Sequence, residues 1–314
     1  MTDATPEVRL REVGLRDGLQ IIPSFLPTEH KKQWIDHCVA AGFSELEVGS
    51  FVPPHYIPQF QDMEAVCSHA HGMADLETAA LVPNLKGAQR ALDAGVSTLI
   101  CITSATESFS RANLRRSRMQ SAQELEAIVH LRDQVASRGH RARIQVGISV
   151  SFGCPFEGRV RDADVLATAL EAAHAGAEEI SLADTSGQGD PRQVRRIFTR
   201  LLAELPHVRL SAHFHDTRGT GLANVLAALD AGVRSFDASI GGLGGCPNSP
   251  GATGNIVMED TVFMLEAMGL DTGIDLDRLF EIRRVIAGYL PGIALFGHVA
   301  AVGLPAGFTR AAAL

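Results

Sequence analysis

The chain has 314 residues, 46% of them hydrophobic and 20% charged, with a formal net charge of −8. That length suits one large α/β barrel or two ordinary domains with ample core, and the acidic balance argues against a nucleic-acid-binding surface. Five scattered cysteines without a C-x-x-C pair argue against a disulfide framework and for reduced thiols in a cytoplasmic protein. Met1 to Glu7 are neither apolar nor basic, and no apolar run is long enough to span a bilayer, so neither a targeting segment nor a membrane is expected.

In chain order, Val8–Val13 reads as a first strand, followed at once by the polar stretch Arg16-Asp17-Gly18-Leu19-Gln20. An amphipathic stretch then ends at Ala41-Gly42, ahead of the short strand Leu46-Glu47-Val48. The same sequence of events recurs. Ala94-Gly95 precedes Thr98–Cys101, Ala175-Gly176 precedes Ile180-Ser181-Leu182, and Ala231-Gly232 precedes Phe236-Asp237-Ala238. Each Gly is placed as a left-handed helix C-cap would be, and the separations are near multiples of roughly 27 residues, one strand-plus-helix unit. Glu77–Val82, Arg143–Val150 and Val208–His215 supply the remaining strands by pattern.

Eight such units predict a (β/α)8 TIM barrel over about Val8 to Met268. The doubly wound open sheet is the second choice, and no G-x-G-x-x-G opens the first helix. Residues 1–268 are expected to form the catalytic barrel. Residues 269–314, with a helical pattern at Leu276–Tyr289 and a Gly/Pro-rich tail, are expected to be a short helical or flap extension of the same domain.

In a parallel barrel the reactive groups sit at the carboxyl ends of strands, and polar residues collect there. His213 and His215, two residues apart on one strand, point the same way and can reach one divalent cation. Arg16 and Asp17 follow the first strand, Glu47 lies in the second, Ser181 and Asp184 in and after the sixth, and Cys246 and Asn255 after the eighth. Plainer readings stand beside these. H-x-H also describes one core and one solvated histidine, Arg16-Asp17 an ordinary ion pair, and Glu47 a salt bridge to Arg16. Asp184 also suits a helix N-cap, and Asn255 a left-handed turn. Gly241-Gly242-Leu243-Gly244-Gly245-Cys246-Pro247 reads as a segment able to close over the mouth, with Cys246 either a tethered acid or inert. The run Arg111 to Arg118 stands out in an acidic chain, and Arg115 and Arg116 could hold phosphates, unless the run is a solvated helix start. A ligand set of one Asp, two His and an Asn oxygen suits Mg2+ or Mn2+ better than a thiolate-rich zinc site.

Taken together, these stretches resemble the 3-hydroxy-3-methylglutaryl-CoA lyase family of divalent-metal TIM-barrel lyases. The resemblance is carried by Glu12-Val13-Gly14-Leu15-Arg16-Asp17-Gly18-Leu19-Gln20, Glu47-Val48-Gly49-Ser50-Phe51-Val52-Pro53-Pro54 and Gly153-Cys154-Pro155-Phe156-Glu157-Gly158. It continues in Ser181-Leu182-Ala183-Asp184-Thr185, His213-Phe214-His215-Asp216-Thr217 and the glycine loop through Asn255. It implies metal ligation by Asp17, His213, His215 and Asn255, and catalytic roles for Arg16 at the thioester enolate, Glu47 in support, His213 in proton transfer and Cys246 as general acid. It also implies substrate contacts at Gln20, Ser50, Ser181 and Asp184, with the acyl-CoA as the small-molecule partner. The implied reaction splits 3-hydroxy-3-methylglutaryl-CoA into acetyl-CoA and acetoacetate. (R)-citramalyl-CoA or another 3-hydroxyacyl-CoA is the nearest alternative substrate. A Claisen-type condensing acyltransferase is disfavoured by the short chain beyond the barrel. The sequence leaves open whether the chain works as a homodimer or a higher homo-oligomer. The chain departs from the family pattern at Ile21-Ile22-Pro23, Arg218 and Asn248, which bear on the acyl group accepted.

Overall fold

The computed structural model describes residues 6–136, 139, 141–245 and 254–313. Eight parallel strands close into a barrel in sequence order: β1 (Arg9–Glu12), β2 (Glu45–Ser50), β3 (Glu77–Leu81), β4 (Thr98–Ser104), β5 (Arg143–Ser149), β6 (Glu179–Asp184), β7 (Arg209–Phe214) and β8 (Ser235–Ala238). The ring closes between β1 and β8, with Arg9 opposite Ser235 and Glu12 opposite Ala238. The expected TIM barrel is thus the observed one.

Helices alternate with the strands: α1 (Thr28–Ala40), α2 (Met63–His71), α3 (Leu85–Asp93), α4 (Glu107–Leu114), α5 (Arg118–Ala136), α6 (Asp162–His174), α7 (Pro191–Glu204), α8 (Gly221–Ala231) and α9 (Met258–Ala267). Two helices stand between β4 and β5, the short α4 on the mouth side and then α5. The repeated Ala-Gly pairs end helices as expected. Gly232 caps α8 at φ 112°, and the glycines of the other three pairs also have positive φ. The Asp190 carboxylate accepts from the N–H groups of Arg192 and Gln193, and Pro191 follows it at the first helical position. Together they start α7 by satisfying free N–H groups and presetting φ.

The floor of the barrel is ionic, which hydrophobic periodicity does not reveal. Arg11 donates to Glu45 at 3.0 Å and Glu179 at 3.1 Å. Arg209 donates to the same two carboxylates at 2.8 Å each, and Ser211 donates to Glu179. Burial works against the Glu45 carboxylate, but the two guanidiniums prevail and hold its pKa down at about 2.

Beyond the barrel, α10 (Leu276–Tyr289) and α11 (Val299–Val302) follow. Tyr289 stacks on His30 of α1 at 4.1 Å and donates to Gln33. From α10, Arg283 donates to Glu259 and to the Leu295 carbonyl. Glu259 in turn accepts the N–H of Gly241, and Phe296 N–H donates to the Gly241 carbonyl. The extension therefore clamps the first residue of the glycine loop.

Candidate active site

The chain leaves β1 through a wide helical turn, Gly14–Gly18, in which the N–H groups of Arg16 and Asp17 both donate to the Val13 carbonyl. Glu12 anchors this turn. One of its oxygens accepts from Gly14 N–H and the other from Ile240 N–H after β8. The turn points Arg16 and Asp17 into the mouth. Arg16 donates to Glu47 at 2.6 Å and to Asp17 Oδ1 at 2.6 Å, so the expected salt bridge and the expected ion pair both form.

His213 lies in β7, in register with Ala183 of β6 and Asp237 of β8. His215 follows one pleat later and bridges to Asn255. The two Nε2 atoms stand 3.2 Å apart, at 4.0 Å and 3.6 Å from Asp17 Oδ2. These three atoms form a buried group with metal-ligand spacing. Asp237 Oδ2 lies 3.2 Å from His213 Nδ1. With the carboxylate accepting there, Nδ1 carries the proton and the Nε2 lone pair faces Asp17, the arrangement of a carboxylate–histidine–metal relay.

Charge reinforces the geometry. Burial pushes Asp17 toward protonation, but Arg16 and the two imidazoles reverse this and hold its carboxyl well below the usual range. Burial likewise opposes charge on His213, yet Asp237 and Asp17 raise its pKa overall. For Glu47 burial prevails over Arg16, and its pKa is raised. Arg16 thus faces three carboxylates (Asp17, Glu47 and Asp237), an excess of negative charge that favours a bound cation.

Asn255 supplies the test of fit. Its Nδ2 donates to Asp17 Oδ2 at 2.7 Å and to the Leu243 carbonyl at 2.9 Å, while its buried Oδ1 has no partner. An amide orientation is assigned from its neighbours. Turned over, the oxygen would join two other acceptors, a cluster that a cation satisfies. The donor set is hard to borderline, without thiolate, and fits a divalent ion of the Mg2+ or Mn2+ kind. Gly244 permits this packing, because a Cβ there would lie 2.4 Å from Asn255 Nδ2 and 2.9 Å from Asp17 Oδ2.

A cavity of about 520 Å3 opens above these groups. Of the expected site residues, Arg16, Asp17, Gln20, Glu47, Ser181, His213 and His215 line it, with Arg115 and Arg116 in its wall beside Tyr56 and Asn113. Gln20 donates to Asp17 Oδ1 at 2.6 Å. Arg115 lies 5.4 Å over the Tyr56 ring, whereas Arg116 is engaged by the Pro83 carbonyl and Glu124.

Two expected substrate contacts do not line the cavity. Ser50 Oγ accepts from Val52 N–H, and Asp184 accepts from the N–H groups of Gln188 and Gly189. Asp184 thereby braces a loop, and the α7 N-cap is Asp190. Asn255 is not among the residues with positive φ and serves by its side chain. Cys246 and Asn248 lie outside the described residues. Arg218 is not among the residues that line the cavity, and it donates to the carbonyls of Ser186 and Gly187.

Sequence reasoning missed Asp237 and Gln145, both in the cavity wall. The available signal was an acid inside the apolar strand Phe236-Asp237-Ala238, the same signal that singled out Glu47.

A family model described as HMGL-like matches residues 7–286. The chain belongs to the HMGL-like family. Among members of known activity, it is 39% identical to a hydroxymethylglutaryl-CoA lyase of Bacillus subtilis, over 88% of this chain and 90% of that one. It is 38% identical to a 3-hydroxy-3-isohexenylglutaryl-CoA/hydroxymethylglutaryl-CoA lyase of Pseudomonas aeruginosa, over 90% and 93% of the two chains. The HMG-CoA lyase of Acinetobacter baumannii, solved with coenzyme A and 3-methylmalate, superposes with a TM-score of 0.89 at 39% identity, over 99% of each chain. Among the described residues, no helix of this HMGL-like protein is long and apolar enough to cross a membrane.

Proposed function

We propose that this protein is a metal-dependent carbon–carbon lyase that cleaves 3-hydroxy-3-methylglutaryl-CoA to acetyl-CoA and acetoacetate. The observation that carries the reading is the convergence of Asp17, His213 and His215 beside Arg16 in the barrel mouth. A divalent ion, Mg2+ or Mn2+, held by these three and Asn255 would polarise neighbouring substrate oxygens and stabilise developing negative charge.

The chain's own residues supply the rest. As the substrate hydroxyl loses its proton, the bond between C2 and C3 breaks. A carbonyl forms at C3, and the electron pair passes into the thioester enolate. Arg16, fixed by Glu47 and Asp17, presents a preorganised positive charge to that enolate oxygen. His213, held by Asp237, is placed for proton transfer, and Cys246 is assigned to protonate the enolate carbon, giving acetyl-CoA. Gln20, Ser181, Arg115 and Arg116 are assigned to substrate binding, with the two arginines at the CoA end. Ser50 and Asp184 then contribute by bracing loops. Residues 1–268 and 269–314 are read as one catalytic domain, supported by the hold of Arg283 on Glu259. The buried, unpaired thiols of Cys38, Cys67, Cys101 and Cys154 support a cytoplasmic setting.

The test is acetyl-CoA release from 3-hydroxy-3-methylglutaryl-CoA with Mg2+ or Mn2+, then with EDTA. Metal-dependent release of both products at an enzymatic rate is expected. A folded, metal-loaded protein that releases neither would refute the substrate assignment.

A further inference from the structure

The interior of a parallel eight-stranded barrel is ordinarily filled by layers of bulky branched side chains. Here one inward position carries no side chain at all. Gly147 of β5 pairs with Ile102 of β4 and Ser181 of β6 and lines the cavity. A Cβ built on it would meet the flexible Ile102 Cδ1 at 2.9 Å, and otherwise only the Cys101 carbonyl at 3.9 Å. Apart from the movable end of Ile102, the space in front of Gly147 is therefore cavity.

This bay has a definite chemistry. Ala183, in register with His213, begins it beside the candidate metal ligands, and Ile102, Ile100 and Leu81 continue its wall away from them. Ser181 lines the same wall at 3% exposure, and its buried hydroxyl has no hydrogen-bond partner. The nearby guanidiniums are engaged elsewhere, Arg16 by Asp17 and Glu47 and Arg11 by Glu45 and Glu179. One half of the chamber is thus ionic, and the other is mainly apolar, with Gln145 and Ser149 flanking Gly147 and the Ser181 hydroxyl left unpartnered.

We infer that the apolar bay receives the alkyl branch on the carbinol carbon of the substrate and admits branches longer than methyl, while Ser181 meets an oxygen of the departing carbonyl fragment. The substrate class is accordingly 3-hydroxyacyl-CoA thioesters with an extended apolar branch at C3. This rests on the proposed lyase function and narrows it. A closed apolar pocket discriminates by about 10–200-fold per methylene, whereas an open bay does not.

The experiment measures kcat/KM of the Mn2+-loaded protein on 3-hydroxy-3-methylglutaryl-CoA and on its C3-butyl and C3-hexyl counterparts. The parent is expected to cleave the butyl substrate within about tenfold of the methyl one. Gly147→Val should lower the butyl rate at least about thirtyfold more than the methyl rate. Ile102→Phe, filling the bay from the facing strand, should shift the ratio the same way, and Ile102→Ala should favour hexyl. A parent that cleaves the methyl thioester but rejects butyl by more than about a hundredfold would overturn the inference. So would equal losses on both substrates in the Gly147 and Ile102 variants. A parent that cleaves no thioester would overturn the proposed function, and the inference with it.

Discussion

The two ends of this barrel bury similar side chains for different ends. At the floor, Arg11 and Arg209 are matched against Glu45 and Glu179 by hydrogen bonds near 3 Å, and the atoms left over, Arg11 Nε and Arg209 Nη2, belong to guanidiniums already paired with those carboxylates. At the mouth, Arg16 faces Asp17, Glu47 and Asp237, and the buried Asn255 Oδ1 and His215 Nδ1 have no partner. A balanced buried network holds strands together, whereas an acid-rich one with free donors is poised for a ligand. Both ends cost desolvation. Only the floor recovers that cost from within the chain.

The largest effect should come from unbalancing the floor. Glu179→Ala leaves two guanidiniums short of a carboxylate and should destabilise the fold by about 3–5 kcal/mol, read by urea denaturation. The folded fraction should still bind Mn2+. At the mouth the pattern should invert. Asp17→Asn should lower turnover by at least about a hundredfold and abolish tight Mn2+ binding, while costing less stability than Glu179→Ala, because the amide keeps one oxygen to accept from Arg16. Loss of stability without loss of metal would place Asp17 with the floor.

Asp237→Ala probes the junction between the two ends, since Asp237 meets His213 at 3.2 Å and Arg11 at 3.7 Å. It should weaken Mn2+ affinity by about 10–100-fold, measured by titration calorimetry, and a wild-type affinity would remove its positioning role. The mildest test is pH. Glu45 titrates at about 2 when folded against an ordinary value of 4.5, so its contribution is complete above 4.5 and is lost as pH falls toward 2. Parent stability should therefore drop more steeply over that window than that of Glu45→Gln. Parallel curves would show that Glu45 adds nothing.

Much was legible because it is local. The strands read from pattern over Glu77–Val82 and Val208–His215 are observed as Glu77–Leu81 and Arg209–Phe214. The helix read over Leu276–Tyr289 has those same bounds. Alternation along β7 placed the two histidines on one face, and an acid amid apolar neighbours marked Glu47. These signals live within a few residues of chain, where backbone sterics and side-chain period act.

What the tertiary structure alone decided lies between distant residues. Asn255 reaches Asp17 across 238 positions of sequence, and Arg11 meets Glu179 across 168. Asp184 ends the same strand as Ser181, yet two nearby N–H groups occupy its oxygens, which only the folded loop brings about. The sequence by itself determined the repeat, the barrel and the face on which the histidines stand, because each follows from local period and turn chemistry. Which buried charges are matched and which are left open to a ligand follows from where the closed barrel brings the strands, and no local signal encodes it.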